Sequence, residues 1–289
     1  MRFDHIAIVG VGLIGGSFAL AARRAGLAER ITGLDSKAVI DKARARGVID
    51  DGGETFEEAR VARADLVYLA APVGAILSFL RSNGPSLKPG AIVTDAGSTK
   101  RDICRAAREA LPPEIVFVGG HPMAGSERTG VEFADANLFS GAPYALIADR
   151  NEPEDGLHMM TEVVESVGAH PVVLTAEQHD RIAARISHVP QLLSTALALA
   201  VSQAPQPETL RMVGSGFAEL ARLAESRWSV WEDICRTNAD EISSALDEAI
   251  SELEAVQAAV LSRDFSALEE MFEKAAELMR RFREMRRDK

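Results

Sequence analysis

Apolar residues in the first half of the chain come in short, nearly continuous runs. Residues 6–9, 31–34, 64–71, 91–95 and 115–118 each read as a strand covered on both faces. Helical stretches fill the gaps, at 17–25, 36–46, 55–63, 74–82 and 99–111. This alternation predicts a parallel sheet with helices on both faces. Two more strand candidates, 144–148 and 171–174, flank a helical stretch at 153–167 and extend the sheet. From Ala176 onward glycine becomes rare and helical patterns dominate. Residues 177–202 read as one helix bent near Pro190, and 208–226 as a second, interrupted around Gly214 and Gly216. A third runs over 230–261, and a last one from Asp264 to about Arg283, basic at its end as the helix dipole prefers. In the third, Ile242, Leu246, Ala249, Leu253, Val256 and Val260 form an amphipathic stripe. Such a stripe packs internally or against a twin, and a homodimer is the expectation.

The first apolar run leads into Gly10-Val11-Gly12-Leu13-Ile14-Gly15, and a helical pattern follows. A strand, a G-x-G-x-x-G turn and a helix make a place for pyrophosphate. Gly10 allows the tight turn, Gly12 lets the backbone approach the phosphates, and Gly15 lets helix and strand pack closely. Leu13 and Ile14 belong to the same cofactor site, where a helix N-terminus offers N–H groups to an anion. Asp35 closes the second run, about 20 residues past the last glycine, where an acid meets ribose hydroxyls. No arginine follows it, and a 2′-phosphate would face its carboxylate, so the expected cofactor is NAD. Ligands of such sheets lie beyond the carboxyl ends of the strands, which adds Ala71 and Pro72 to the cofactor site. The fold class expected is α/β. A Rossmann-type doubly wound parallel sheet occupies residues 1–174, and an all-α domain for substrate binding and dimerisation occupies 175–289.

Composition narrows the partners. A net charge of −11 argues against nucleic acid, and an anionic small-molecule substrate would need a local basic pocket. The two cysteines, Cys104 and Cys235, lack metal spacing and give no disulfide framework, so a reducing compartment and no metal are expected. No apolar run is long enough for a membrane span, and the first strand begins too early to leave room for a signal peptide. The cytoplasm is the expected location.

Chemistry is expected at the strand ends. His121 lies in Gly119-Gly120-His121-Pro122, on a rigid loop at the sheet's ligand edge. Its ordinary pKa suits accepting a hydroxyl proton, though a lone histidine is often structural. Ser98 either orients the same oxygen or caps the helix at 99–111, and both roles can coexist. In Ser187-His188-Val189-Pro190-Gln191, a proline inside a helix costs about 3 kcal/mol. A kink there would aim His188 and Gln191 at the cleft between domains; the alternative is a surface histidine beside a packing kink. His179-Asp180 reads as a helix-start pair that caps or orients, while His5, His158 and His170 look structural or exposed. Arg222, among small and apolar neighbours, suits a bidentate carboxylate clamp or a salt bridge to Glu219 or Glu225. Trp231 is either core or pocket wall.

Together these segments resemble the TyrA family of prephenate, arogenate and cyclohexadienyl dehydrogenases. The resemblance runs over nearly the whole chain. It is carried by GVGLIGGS at 10–17, DAGSTK at 95–100, GGHPMAGSERTG at 119–130, LFSGAPYAL at 138–146, EQHD at 177–180, SHVPQ at 187–191 and GFAELARLA at 216–224. The first motif alone fits any Rossmann dehydrogenase; the combination is specific. It implies an NAD-dependent oxidative decarboxylation in tyrosine biosynthesis. A hydride leaves the ring carbon bearing the hydroxyl, a histidine accepts the hydroxyl proton, and the ring carboxylate departs as carbon dioxide while the ring aromatises. By this resemblance His121 is the catalytic histidine and Ser98 its partner. Ser126 and Glu127 border the substrate, Gln191 faces it, Arg222 binds it, and Trp231 lines its aromatic pocket.

Three departures fall in the pocket. Gln191 stands where many relatives have a second histidine, Ala218-Glu219 where many have a basic residue and Asp, and Ser226-Arg227-Trp228 where the common segment is Ser-Asp-Pro. Neutral Gln191 favours prephenate's keto acid, whereas Glu219 pointing inward would favour arogenate's ammonium. Conversion of prephenate to 4-hydroxyphenylpyruvate is the leading expectation, and arogenate to tyrosine the alternative. Enzymes of the β-hydroxyacid or imine-reducing kind rely on a lysine in the helical domain, and residues 176–263 contain none. A non-enzymatic NAD sensor would leave His121, His188 and Arg222 without a task. The chain leaves no room for a fused chorismate mutase domain or a C-terminal regulatory ACT domain.

Overall fold

A computed structural model describes residues 2–125, 128–148, 154–203 and 207–287. The chain divides into two compact units, Met1–Ala239 and Asp240–Lys289. In the first, β1 (Phe3–Val9), β2 (Ala28–Leu34), β3 (Asp51–Gly53), β4 (Leu66–Leu69), β5 (Ile92–Asp95), β6 (Val116–Pro122), β7 (Pro143–Ile147) and β8 (His170–Leu174) form one sheet. Their order is β3-β2-β1-β4-β5-β6-β7-β8. Neighbours run parallel throughout except β6 and β7. The strand order reverses at β1, between β2 and β4, which opens a crevice at the carboxyl ends of β1 and β4.

Helices α1 (Leu13–Arg24), α2 (Lys37–Ala45), α3 (Val73–Asn83), α4 (Arg101–Ala110) and α5 (Glu154–Ser166) connect these strands. The two-residue period of a strand splits the core between two faces. Ile6, Ile8 and Tyr68 pack with Phe18 of α1 and Val163 of α5, whereas Ala7, Val9, Val67 and Leu69 pack with Ile76 of α3 and Ile103 of α4. With both faces covered, the strands are apolar almost without interruption, as the sequence implies.

Several boundaries differ from the pattern reading. The fifth expected strand continues through Gly119-Gly120-His121-Pro122, because β7 supplies it with antiparallel partners. His121 therefore sits on a strand opposite Ala145, not on a loop. The polar triplet of β3 carries no apolar signal and pairs with β2 through backbone alone. Residues 55–63 form turns and a short 3-10 helix, Val61–Arg63, rather than an α-helix. There Glu58 accepts from the Glu54 and Thr55 N–H groups, and Arg60 adopts a left-handed φ of 55°. The helix expected from 99 begins at Arg101, and Ser98 does not cap it.

The helical part of the first unit opens with α6 (Ala176–Ala183), whose Thr175 and Gln178 form a reciprocal capping box. A π-helical turn, Ala184–His188, leads into α7 (Val189–Ser202). The wide turn accommodates the ring of Pro190 without ending the helix. Then come α8 (Pro207–Arg211), α9 (Ser215–Ala221), a 3-10 turn Arg222–Glu225, and α10 (Trp228–Thr237). The single helix expected over 230–261 is broken at Asn238, whose backbone leaves the helical region and whose side chain is buried. In the second unit, α11 (Ala239–Ser262) and α12 (Phe265–Arg287) are joined through Arg263, at a φ of 58°. The Asp264 carboxylate accepts from the Ala267 N–H at 3.0 Å and so caps α12.

Candidate active site

The glycine turn lies where β1 meets α1. Gly10 has a φ of +90°, and a Cβ there would stand 2.5 Å from the Ala70 carbonyl oxygen. A Cβ on Gly15 would stand 2.0 Å from the Gly10 oxygen, so helix and turn pack backbone to backbone. Gly12 is different: a Cβ there would meet nothing within 4 Å. It caps α1 without any side-chain hydrogen bond, so the first-turn N–H groups face open space. Asp35, at the end of β2, accepts from the Val11 N–H at 2.8 Å and the Ser36 N–H at 2.7 Å. Its carboxylate is thereby pinned against the turn.

A cavity of about 390 Å³ opens over this turn. Gly12, Leu13, Ile14, Ala71, Pro72 and Ser98 line it, so six of the residues expected around the cofactor and the reacting oxygen share one wall. Arg128, Thr129 and Gly130 close it from one side, and Val230 and Ile234 of α10 from another. Gly10, Gly15 and Asp35 support the turn from behind and beside it. Ser126 and Glu127 lie outside the described residues.

His121 is anchored from two directions. Below it, the fully buried pair of Asp95 and Lys100 clamps the preceding residue: Lys100 Nζ donates to the Gly120 carbonyl at 2.6 Å, and the Gly120 N–H donates to Asp95 at 3.1 Å. Beside it, His121 Nδ1 lies 2.9 Å from His179 Nε2, and His179 Nδ1 lies 2.8 Å from Asp180 Oδ1. Asp180 is fully buried and also accepts the Lys100 and Arg101 N–H groups, at 2.7 and 3.0 Å. It therefore caps α4 from a distant part of the chain, the place Ser98 does not fill. Burial holds the His121 pKa well below its usual value, helped by His179, Lys100 and His188 nearby. Burial lowers His179 too, against the pull of Asp180. Burial pushes Asp180 upward, but the His179 N–H and the backbone donors outweigh it and hold the carboxyl below its ordinary range.

The π turn carries His188 into the interior, where it is 1% exposed, so the surface-histidine alternative does not hold. Its ring meets Trp231 edge-on at 6.0 Å. Burial pushes its pKa down to about 4. Nδ1 lies 3.3 Å from Asn238 Nδ2, and Nε2 is buried without a partner among the described residues. Gln191 is engaged in holding the next segment: its Nε2 donates to the Leu223 carbonyl at 2.7 Å and its Oε1 accepts from Ser226 at 3.0 Å. Arg222 opens the 3-10 turn that Gln191 braces, and is exposed. Trp231 is half-buried.

A family model described as the nucleotide-binding domain of prephenate dehydrogenase matches residues 18–173, and one described as its dimerization domain matches 175–274. The chain belongs to the prephenate dehydrogenase family. It is 34% identical to a Bacillus subtilis prephenate dehydrogenase over 279 residues, 94% of this chain and 74% of that one. It is 32% identical to a Zymomonas mobilis cyclohexadienyl dehydrogenase over 94% of both chains. Among solved structures, prephenate dehydrogenase from A. aeolicus, in complex with hydroxyphenyl propionate and NAD+, superposes with a TM-score of 0.90 at 29% identity. That match covers 96% of this chain and 98% of that one.

The glycine turn, Ser98 and the histidines stand out in the sequence as candidates, but the groups that hold them do not. Asp95 and Lys100 were visible only as parts of the DAGSTK motif. Asn238 carried no signal, since its task is to receive contacts from residues far away in sequence. Arg128 and Ile234 enter the cavity wall from segments read for other reasons or not at all.

Proposed function

We propose that this enzyme oxidatively decarboxylates prephenate to 4-hydroxyphenylpyruvate, with NAD as hydride acceptor. The observation that carries the reading is the shared wall: the dinucleotide turn and Ser98 line one cavity at the strand ends, and His121 stands at the carboxyl end of β6. The turn fits a dinucleotide because Gly12 leaves room at the N-terminus of α1 for a phosphate to approach. Asp35, followed by Ser36, suits ribose hydroxyls and repels a 2′-phosphate. NAD, when bound, supplies the hydride acceptor. His121 accepts the hydroxyl proton of the ring, and Ser98 orients that oxygen. Arg222 clamps a substrate carboxylate, with Trp231 and His188 as pocket walls and Ser126 and Glu127 bordering the substrate. Loss of carbon dioxide is driven by aromatisation, so the protein mainly orients and removes one proton.

Residues 1–174 serve as the NAD domain and 175–289 as the substrate and dimerisation domain of a cytoplasmic homodimer. Arogenate is a second candidate substrate on one observation. Gln191 is spent on Leu223 and Ser226, so its neutral amide is not free to select a keto acid. The test is the initial rate of NADH formation with prephenate and with arogenate, each offered NAD and NADP. Turnover of prephenate with NAD is expected. Preference for arogenate would keep the chemistry and change the substrate, and silence with both would sink the reading.

A further inference from the structure

We propose that Asp180 is a positioning residue that, acting through His179, fixes His121 as the Nδ1–H tautomer and leaves Nε2 as the proton acceptor. The inference deepens the reaction proposed above and rests on it only for the use made of His121. The argument is one of donors and acceptors. An ionised carboxylate can only accept, so the group at 2.8 Å from Asp180 Oδ1 must be a His179 Nδ1–H. A neutral His179 then has a lone pair on Nε2. The His121 Nδ1 that lies 2.9 Å from this lone pair must carry a proton. The remaining nitrogen of His121, Nε2, is left with its lone pair. Each step is set by the one before, and the chain starts at a carboxylate held ionised by four N–H donors: His179 Nδ1, the backbone of Lys100 and Arg101, and Arg101 Nε.

The arrangement also accounts for the charge. When the substrate O–H bond breaks, a new N–H bond forms at His121 Nε2 and no other bond changes in the chain. The resulting imidazolium keeps its Nδ1–H on His179, with the Asp180 carboxylate at the far end as counter-charge. The charged and titratable groups facing His121 are His179, Lys100 and His188. Two of these are buried neutral histidines and one is paired with Asp95, which leaves Asp180 as the counter-charge the chain delivers to His121.

Asp180 has a second branch. Its carbonyl accepts from Asn238 Nδ2 at 2.9 Å, and Arg101 Nη2 donates to Asn238 Oδ1 at 3.0 Å. These two contacts orient the Asn238 amide, so its NH₂ faces His188 Nδ1. His188 Nδ1 is then the acceptor, and the proton sits on Nε2. The two histidines at opposite ends of the hub thus carry opposite tautomers, one a base and one a hydrogen-bond donor.

The chain has six histidines, few enough for direct observation. In the full-length protein labelled with ¹⁵N-histidine, without ligand at neutral pH, ring ¹⁵N–¹H correlation reads each tautomer. His121 and His179 should be protonated on Nδ1 and His188 on Nε2. In Asp180→Asn the amide can donate to His179 Nδ1 and reverse the chain, so His121 should shift its proton to Nε2. The kcat should then fall by roughly 10²–10⁴-fold with KM and NAD affinity unchanged. His179→Gln, which leaves the cap on α4 intact, should mix the His121 tautomers and lower kcat at constant KM. Wild-type His121 protonated on Nε2, or a tautomer indifferent to both substitutions, overturns the proposal. The spectra need no substrate, so a failure of prephenate turnover would count against the reaction and leave this result standing.

Discussion

His121 is kept neutral by its surroundings, and that has a direct kinetic consequence. A base works only when unprotonated. Its pKa is held well below 6.5 by burial first and then by the neighbouring His179, Lys100 and His188, of which Lys100 is the cation. With His121 as the proposed base, activity is expected above that lowered pKa and is expected to be lost as pH falls through it. The kcat/KM profile should stay flat on its acid side through the ordinary histidine value of 6.5, with the falling limb at lower pH. An inflection at the ordinary histidine pKa would mean that the base is solvent-exposed in the working enzyme. His121→Asn keeps a hydrogen-bonding side chain but no base; turnover should drop roughly 10²–10⁴-fold while NAD affinity, read by fluorescence titration, stays the same. Arg222→Ala tests the clamp. A lost charge-assisted pair of roughly 2–3 kcal/mol predicts a KM raised by roughly 30- to 150-fold, with NAD affinity intact. An unchanged KM would remove Arg222 from substrate binding.

At the scale of elements, the glycine turn separates functional space from structural packing. Gly12 and Gly15 lie in one turn, yet a methyl group would meet open cavity at the first and the Gly10 oxygen at 2.0 Å at the second. Gly12→Ala should leave the folding stability within about 0.5 kcal/mol of wild type and weaken NAD binding, since the methyl occupies phosphate space. Gly15→Ala should destabilise the fold by roughly 1–3 kcal/mol or more, because backbone must move to admit it. Equal effects on folding at both positions would mean that the space over Gly12 is structural. The contrast also shows which parts of the fold are legible in sequence. Strands β1, β4 and β5 are legible because burial on both faces demands continuous apolar runs. The triplet of β3 is not, since backbone pairing alone makes it a strand. The missing helix at 55–63 depends on a Glu58 side chain competing for backbone N–H groups, which composition does not record. Within the site, the turn, Ser98 and His121 stand in motifs whose chemistry is local. The capping of α4 by Asp180 is a contact across some 80 residues, and no spacing rule anticipates it.

The whole molecule carries four histidines whose pKa values are lowered by burial: His5, His121, His179 and His188. A depressed folded pKa means that the unfolded chain binds the proton first. Their stabilising contribution is complete above the ordinary value of 6.5 and is lost as pH falls toward the folded values. For His188, with a folded value of about 4, the window runs from 6.5 to about 4 and the loss is about 3 kcal/mol. Urea midpoints measured across this window should fall steeply, and His188→Gln should flatten the slope. The second unit bears on assembly. Leu253, Val260 and Phe272 are 57%, 56% and 75% exposed, on helices long enough to form a continuous apolar face. Exposed apolar faces of this kind mark interaction surfaces, and a second copy of the chain would cover them with matching residues by two-fold symmetry. Sedimentation should therefore give twice the chain mass, with a thermal midpoint that rises with protein concentration. Leu253→Glu combined with Val260→Glu should shift the protein to monomer and abolish that concentration dependence. If the double variant sediments as wild type does, the stripe read from the sequence packs inside the protomer and the two-fold contact lies elsewhere.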